Sequence, residues 1–309
     1  MQCDHSTTTY PFETGGATER AFANSCWRML WIGIVSAYGL GCSPPEAPTA
    51  TPAPAPTTPV ANRDAVTVDD AIVQYSLVSA LAVGDYGSGT PLRSLLVSGD
   101  FGVGTFDRLD GEMIVLDGTI YQALSDGTIR PANLDDTTPF AAVTYFNDDG
   151  RIGNLAAVSL VDLDDQLDRG LPRRNAPYAI RIDGEFAELT LRSVPAQTPP
   201  YQPLVDVVKH QVTWQHRNVQ GTLVGLRYPK WIGTLNVAGY HWHFISTDRT
   251  LGGHVLSCEF QNGLLRFDEC TSIVIHVSRS GEFDKFDADD IKKHDIDQVE
   301  LLRNPPVRP

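Results

Sequence analysis

Cysteine is scarce in this chain, with five in 309 residues. No two stand in a C-x-x-C spacing, so neither a dithiol redox motif nor a cysteine-built zinc site is available. Cys258 and Cys270 flank Gln261-Asn262-Gly263, but a hairpin centred on Asn262-Gly263 sets Cys258 opposite Phe267, so no disulfide is expected. Positive charge is also short. Lys and Arg number 24 against 38 Asp and Glu, a net charge of −14, which argues against nucleic acid or an anionic membrane surface as partner. The apolar run Met29–Gly41 has thirteen residues, too few to span a bilayer. Gly99, Gly102 and Gly104 are not followed by a lysine or an opening helix, so no phosphate-binding loop is present and no organic cofactor is implied. Helical periodicity is sparse, and there is no internal repeat.

What the first 65 residues do carry is export chemistry. Arg20 and Arg28 precede the apolar run, and Gly39-Leu-Gly-Cys42 follows it. That order fits a signal segment over residues 1–42, with a lipoprotein-type anchor at Cys42 and an exported, periplasmic or cell-surface protein. Residues 43–65 form a Pro/Ala/Thr-rich linker, with seven prolines between Pro44 and Pro59, and such a segment makes a semi-extended tether.

The rest reads as strands and tight turns. Asp117-Gly118, Asp126-Gly127, Asp183-Gly184 and Asn262-Gly263 are hairpin signals. Ser76 is expected to cap a short helix reaching about residue 83, and Ser159 an acidic helix to Leu171. Leu204 to His210 is a third short helix. Strands are expected at 211–216, 220–227, 233–246, 253–260, 264–268 and 272–278, with a terminal helix over 287–302. The fold class is α+β, two mostly antiparallel or mixed sheets with a few short helices. A β-rich subdomain over 66–195 precedes a second subdomain over 196–309.

Chemistry concentrates in Gly239-Tyr-His-Trp-His-Phe-Ile-Ser-Thr-Asp-Arg-Thr-Leu-Gly-Gly-His254. On a strand, His241 and His243 share a face. The polar stretch Ser246–Thr250 turns the chain, and symmetric pairing about it sets His243 across from His254. A lone strand histidine is usually packed or solvated. Three of the chain's eight within fourteen residues, at a spacing that aligns them, suit a metal with an open coordination position. By pattern alone Glu112 is a solvated strand end, and Arg192, off the apolar face of its strand, is solvated too.

Phe101-Gly-Val-Gly-Thr-Phe106, Leu109-Asp-Gly-Glu-Met113, Gly239-Tyr-His-Trp-His-Phe244 and Gly252-Gly-His254 together resemble the acetolactate decarboxylases. The resemblance extends over about residues 70–302, through Thr138-Pro-Phe-Ala, Arg192-Ser-Val-Pro, Gly221-Thr-Leu-Val-Gly and Leu235-Asn-Val-Ala-Gly. It implies conversion of 2-acetolactate, a small 2-hydroxy-3-keto acid, to acetoin and carbon dioxide, with zinc (Zn2+) as Lewis acid. It also implies His241, His243 and His254 as zinc ligands. Glu112, Arg192 and Glu300 become catalytic groups, Thr105 a pocket residue, and the assembly a homodimer. Ala238, where the family commonly has proline, is a departure at a turn. Two other readings suit three histidines on strands: a zinc hydrase or hydrolase, and a non-catalytic exported metal-binding module. A cupin-like site wants a glutamate shortly after the second histidine, and Phe244–Thr247 has none.

Overall fold

Strand-forming residues alternate with tight turns along most of the chain, and the sheets follow from them. The computed structural model describes residues 70–285 except 88, together with 287, all within one unit of the chain, Ala61–Pro309. The export segment 1–42 with Cys42, the linker 43–65, Glu300 and all of the expected 287–302 helix but its first residue lie outside the described residues.

In chain order the strands are β1 (Ala71–Tyr75), β2 (Thr90–Pro91), β3 (Phe101–Thr105), β4 (Glu112–Leu116), β5 (Thr119–Ala123), β6 (Ile129–Pro131), β7 (Thr137–Thr138), β8 (Ala141–Thr144), β9 (Gly150–Ala157), β10 (Tyr178–Ser193), β11 (Val212–Tyr228), β12 (Gly239–Ser246), β13 (Gly252–Glu269) and β14 (Ser272–His276). The α-helices are α1 (Val78–Ala82), α2 (Leu92–Leu96), α3 (Leu160–Gly170) and α4 (Leu204–Val207). Seven strands form one sheet in the order β14-β1-β8-β3-β4-β5-β6, antiparallel except where β1 meets β14. Five form a second, β10-β11-β12-β13-β9. Because β10 also pairs with β13, this second sheet closes on itself. Mixed sheets with few short helices are the α+β arrangement expected. Both sheets draw strands from either side of residue 195.

Local chemistry explains most boundaries. Asp117 and Gly118 both adopt positive φ, 52° and 74°, and close the two-residue turn between β4 and β5. Ser159 caps α3, its hydroxyl accepting from the Asp162 amide at 3.1 Å. Ser76 does not cap α1: its φ is 66° and the helix begins after Leu77.

Two expected hairpin turns are not turns. Asp183-Gly184 lies inside β10 and Asn262-Gly263 inside β13, each at a register shift. Strands paired along both edges keep their backbone groups in the ladder, so a turn signal becomes a bulge that bends the closing sheet. For the same reason 211–216 and 220–227 are one strand, β11, paired with β10 along most of its length. Cys258 and Cys270 are buried and free, as expected.

Three clusters of apolar side chains position the site. One fills the closed sheet, where Phe186, Trp242, Phe244 and Phe260 meet Leu160, Leu163 and Leu167 of α3. A second lies between the sheets, with Ile114, Val224, Leu226 and Ile245. A third gathers Val78 and Leu81 of α1 and Leu204 and Val207 of α4 around Leu109, Phe140 and Val194. Strand β12 serves the first two at once. Its Tyr240, Trp242 and Phe244 point into the closed sheet, and its alternate face carries His241, His243 and Ile245 toward the seven-stranded sheet. Gly225 of β11 makes that packing possible, because the Trp242 indole occupies the space a Cβ there would need.

Candidate metal centre

Strands β12 and β13 pair antiparallel about the turn Thr247–Leu251, and His243 stands opposite His254. His241 lies two residues earlier on the same face. All three are buried, His243 completely. Their rings converge, with centroids 4.9 Å (His241–His243), 5.0 Å (His241–His254) and 5.4 Å (His243–His254) apart. One ring nitrogen from each falls within 4.8 Å of the others, the only such group of His, Cys, Asp or Glu among the described residues. Gly253 brings the strands together here: a Cβ on it would sit 2.7 Å from the carbonyl oxygen of Arg192 on β10.

The protonation pattern suits a metal. Nδ1 of His243 lies 2.7 Å from the carbonyl oxygen of Met113 on β4. A carbonyl only accepts, so Nδ1 carries the proton and Nε2 presents a lone pair. That Nε2 is buried and has no hydrogen-bond partner. Burial holds His243 well below the usual imidazole range, helped by His241 and the Arg192 guanidinium. Burial, with Arg192 second, lowers His241 to about 3. A neutral imidazole with a free ring-nitrogen lone pair, as His243 has, is suited to hold a metal. His241 Nε2 and His254 Nδ1 are at hydrogen-bond distance, 3.2 Å, close to the roughly 3.3 Å that tetrahedral zinc with Zn–N bonds of about 2.0–2.1 Å requires, and the three ligand atoms together lie within 4.8 Å of one another. The residues fit the ion.

Charged and polar groups surround the cluster. Glu112, the first residue of β4, is buried, its Oε2 3.5 Å from the bare Nε2 of His243. Arg192 is 3 % exposed and stands opposite His254 across β10 and β13. The solvated readings of both fail because their strand ends face the other sheet rather than water. Thr105 on β3 pairs with Glu112 on β4. Its hydroxyl donates 2.8 Å to the Gly111 carbonyl, fixing the turn that presents the glutamate. Glu112, Arg192, His241 and Thr105 line a narrow cavity together with Gly104 and the apolar side chains of Leu81, Leu109, Phe140, Val194 and Leu204. Six of the seven expected site residues therefore come together, and Glu300 lies outside the described residues.

Two parts of the site had no sequence signal. The Met113 carbonyl is a backbone group, identical in every residue type. The apolar wall reads as ordinary helix and strand interior, and only the fold shows that it faces the histidines.

Comparison with known proteins agrees with this geometry. Residues 72–290 match the sequence profile described as Alpha-acetolactate decarboxylase. The alpha-acetolactate decarboxylase of Methanosarcina mazei is 41% identical over 231 residues, covering 75% of this chain and 80% of that protein. That of Klebsiella aerogenes is 42% identical over 215 residues, or 70% and 83%. The crystal structure of alpha-acetolactate decarboxylase from Bacillus subtilis strain 168 superposes with a TM-score of 0.72 at 35% identity, covering 74% of this chain and 99% of that one. With the histidine cluster, its carboxylate and its arginine in place, the chain belongs to the alpha-acetolactate decarboxylase family.

Proposed function

We propose that this chain decarboxylates 2-acetolactate to acetoin and carbon dioxide with a zinc ion held by His241, His243 and His254. The observation that carries the reading is the buried Nε2 of His243, which has no hydrogen bond and lies 3.5 Å from Glu112, within a cluster of three buried histidines. When bound, zinc supplies Lewis acidity for the negative charge that loss of carbon dioxide leaves on the substrate's keto and hydroxyl oxygens.

The chain's own groups do the rest. Arg192 carries a permanent charge and five donors, so it holds the substrate carboxylate; its high pKa makes it a poor proton donor. The bond to the carboxylate breaks, carbon dioxide leaves, and the electron pair moves onto the adjacent ketone to give an enediolate. Glu112, 3.5 Å from His243, relays to the enediolate carbon the one net proton, drawn from solvent, that completes acetoin. The buried walls exclude water from these charges. Glu300 is a second carboxylate for the same task, on the strength of the family motif. The apolar run before Gly39-Leu-Gly-Cys42 supports export with a lipid anchor at Cys42 as part of the proposal, and family likeness supports a homodimer.

The test is acetoin formation from racemic 2-acetolactate by the full chain, zinc-loaded and chelator-stripped, with metal analysis. Zinc near one per chain and metal-dependent acetoin are expected. Bound zinc without acetoin overturns the reaction and leaves a hydrase or a binding module.

A further inference from the structure

We propose that Leu81 and Leu204 set the length of the alkyl group the site accepts on the hydroxyl-bearing carbon of its substrate. This rests on the decarboxylase reading and adds a specificity determinant to it. A 2-hydroxy-3-keto acid offers three polar groups and two alkyl groups. The polar groups belong with His241, Arg192, Glu112 and Thr105, the polar side chains of the cavity lining. The alkyl groups are left to the apolar wall residues of the same lining, Leu81, Leu109, Phe140, Val194 and Leu204, all of them buried. The cavity is about 30 Å³ in volume as it stands. So narrow a cavity leaves little slack between a bound alkyl group and the lining, so each added methylene is felt.

Within that wall the five residues are not equivalent. Leu109 sits at a φ of 55° in the turn before Glu112. The Phe140 carbonyl accepts from the Thr105 amide at 3.0 Å. Val194 is two residues from Arg192. All three are tied through the backbone to the segments that carry the polar groups. Leu81 and Leu204 come instead from α1 and α4, short helices that belong to neither sheet and pack on one another within the third apolar cluster. Their side-chain volume is the part of the wall free to vary while the polar groups stay fixed.

The test compares kcat/KM for racemic 2-acetolactate with that for its homologue carrying ethyl in place of the methyl on the hydroxyl-bearing carbon. The full zinc-loaded chain and Leu81→Ala, Leu204→Ala, Leu204→Val and Leu204→Phe are assayed, with zinc content and circular dichroism on each. A methylene against a hydrophobic wall is worth about 10- to 200-fold in selectivity, so each alanine variant should raise the ethyl-to-methyl ratio about tenfold or more, Leu204→Val less, and Leu204→Phe should lower it. Folded, zinc-bearing variants whose ratio stays within about twofold of the parent overturn the proposal, since a methylene at a contacting wall is worth at least about tenfold. Loss of fold in the alanine and valine variants alike also overturns it, by making the wall structural. Parent enzyme that turns over neither substrate would instead sink the decarboxylase reading.

Discussion

The Nδ1–H of His243 donates to the carbonyl oxygen of Met113 at 2.7 Å, joining a strand of the closed sheet to a strand of the seven-stranded one. The hydrogen bond fixes the tautomer and the ring orientation together. Met113 directly follows Glu112, so one stretch of β4 both orients the imidazole and brings a carboxylate to its free nitrogen. The site is therefore a product of the inter-sheet contact and belongs to neither sheet alone.

Replacing His243 with alanine should abolish zinc retention and turnover together. Loss of an outer partner of a metal-bound histidine costs about 10- to 100-fold, and loss of the ligand itself should exceed that. Zinc analysis after dialysis, read beside acetoin production, checks it; an active, zinc-free variant contradicts the ligand set.

Glu112→Gln keeps shape and hydrogen-bonding reach but removes the proton-carrying group. The expected result is retained zinc with kcat lowered about 10²- to 10⁴-fold, the usual contribution of a positioned acid–base group. Arg192→Lys should act differently, raising KM about tenfold or more, because a point charge does not replace a bidentate fork against a carboxylate. Steady-state kinetics that showed the same KM and kcat pattern for both variants would erase this division of labour.

The histidine cluster was legible because its geometry follows from two local facts. Side chains repeat every second residue on a strand, and Ser246–Thr250 turns the chain so that His243 meets His254. Glu112 and Arg192 were not legible from pattern, since a charge at a strand end looks solvated until the opposing sheet is in place. Asp183-Gly184 and Asn262-Gly263 misled for a related reason. A turn signal states what the backbone can do locally, and β10 and β13 hold theirs in ladders on both edges. Leu81 and Leu204 carried no signal, because facing a cavity and facing a core demand the same side chains.

Gly253 is next to His254 and packs against the Arg192 backbone. Alanine there places a methyl 2.7 Å from the Arg192 carbonyl, so β10 and β13 must part where Arg192 faces His254. Overpacking of this kind costs about 1–3 kcal/mol. Gly253→Ala should lower both the melting temperature and zinc affinity, measured by thermal unfolding with and without added zinc. A variant that loses stability but binds zinc like the parent would show that the strand contact does not set the ligand geometry.

Far from the site, Asp268 of β13 is fully buried, with Oδ2 accepting from the Asn147 amide at 3.3 Å and Oδ1 without a partner. Burial, and then Asp149, Asp70 and Asp100, push its carboxyl up from 3.8 to about 7, against the Asn147 hydrogen bond. A raised folded-state value means that the folded protein holds a proton the unfolded chain has released. The resulting stabilisation is fully present below about pH 4 and is lost as pH rises through 7. Asp268→Asn keeps a neutral side chain of the same shape and removes that dependence. Between pH 4 and 7 the melting temperature of the parent should therefore fall relative to the variant, with the difference levelling off above 7. A parent-minus-variant difference that stays flat across that window would mean that Asp268 is ionised in the folded protein despite its burial.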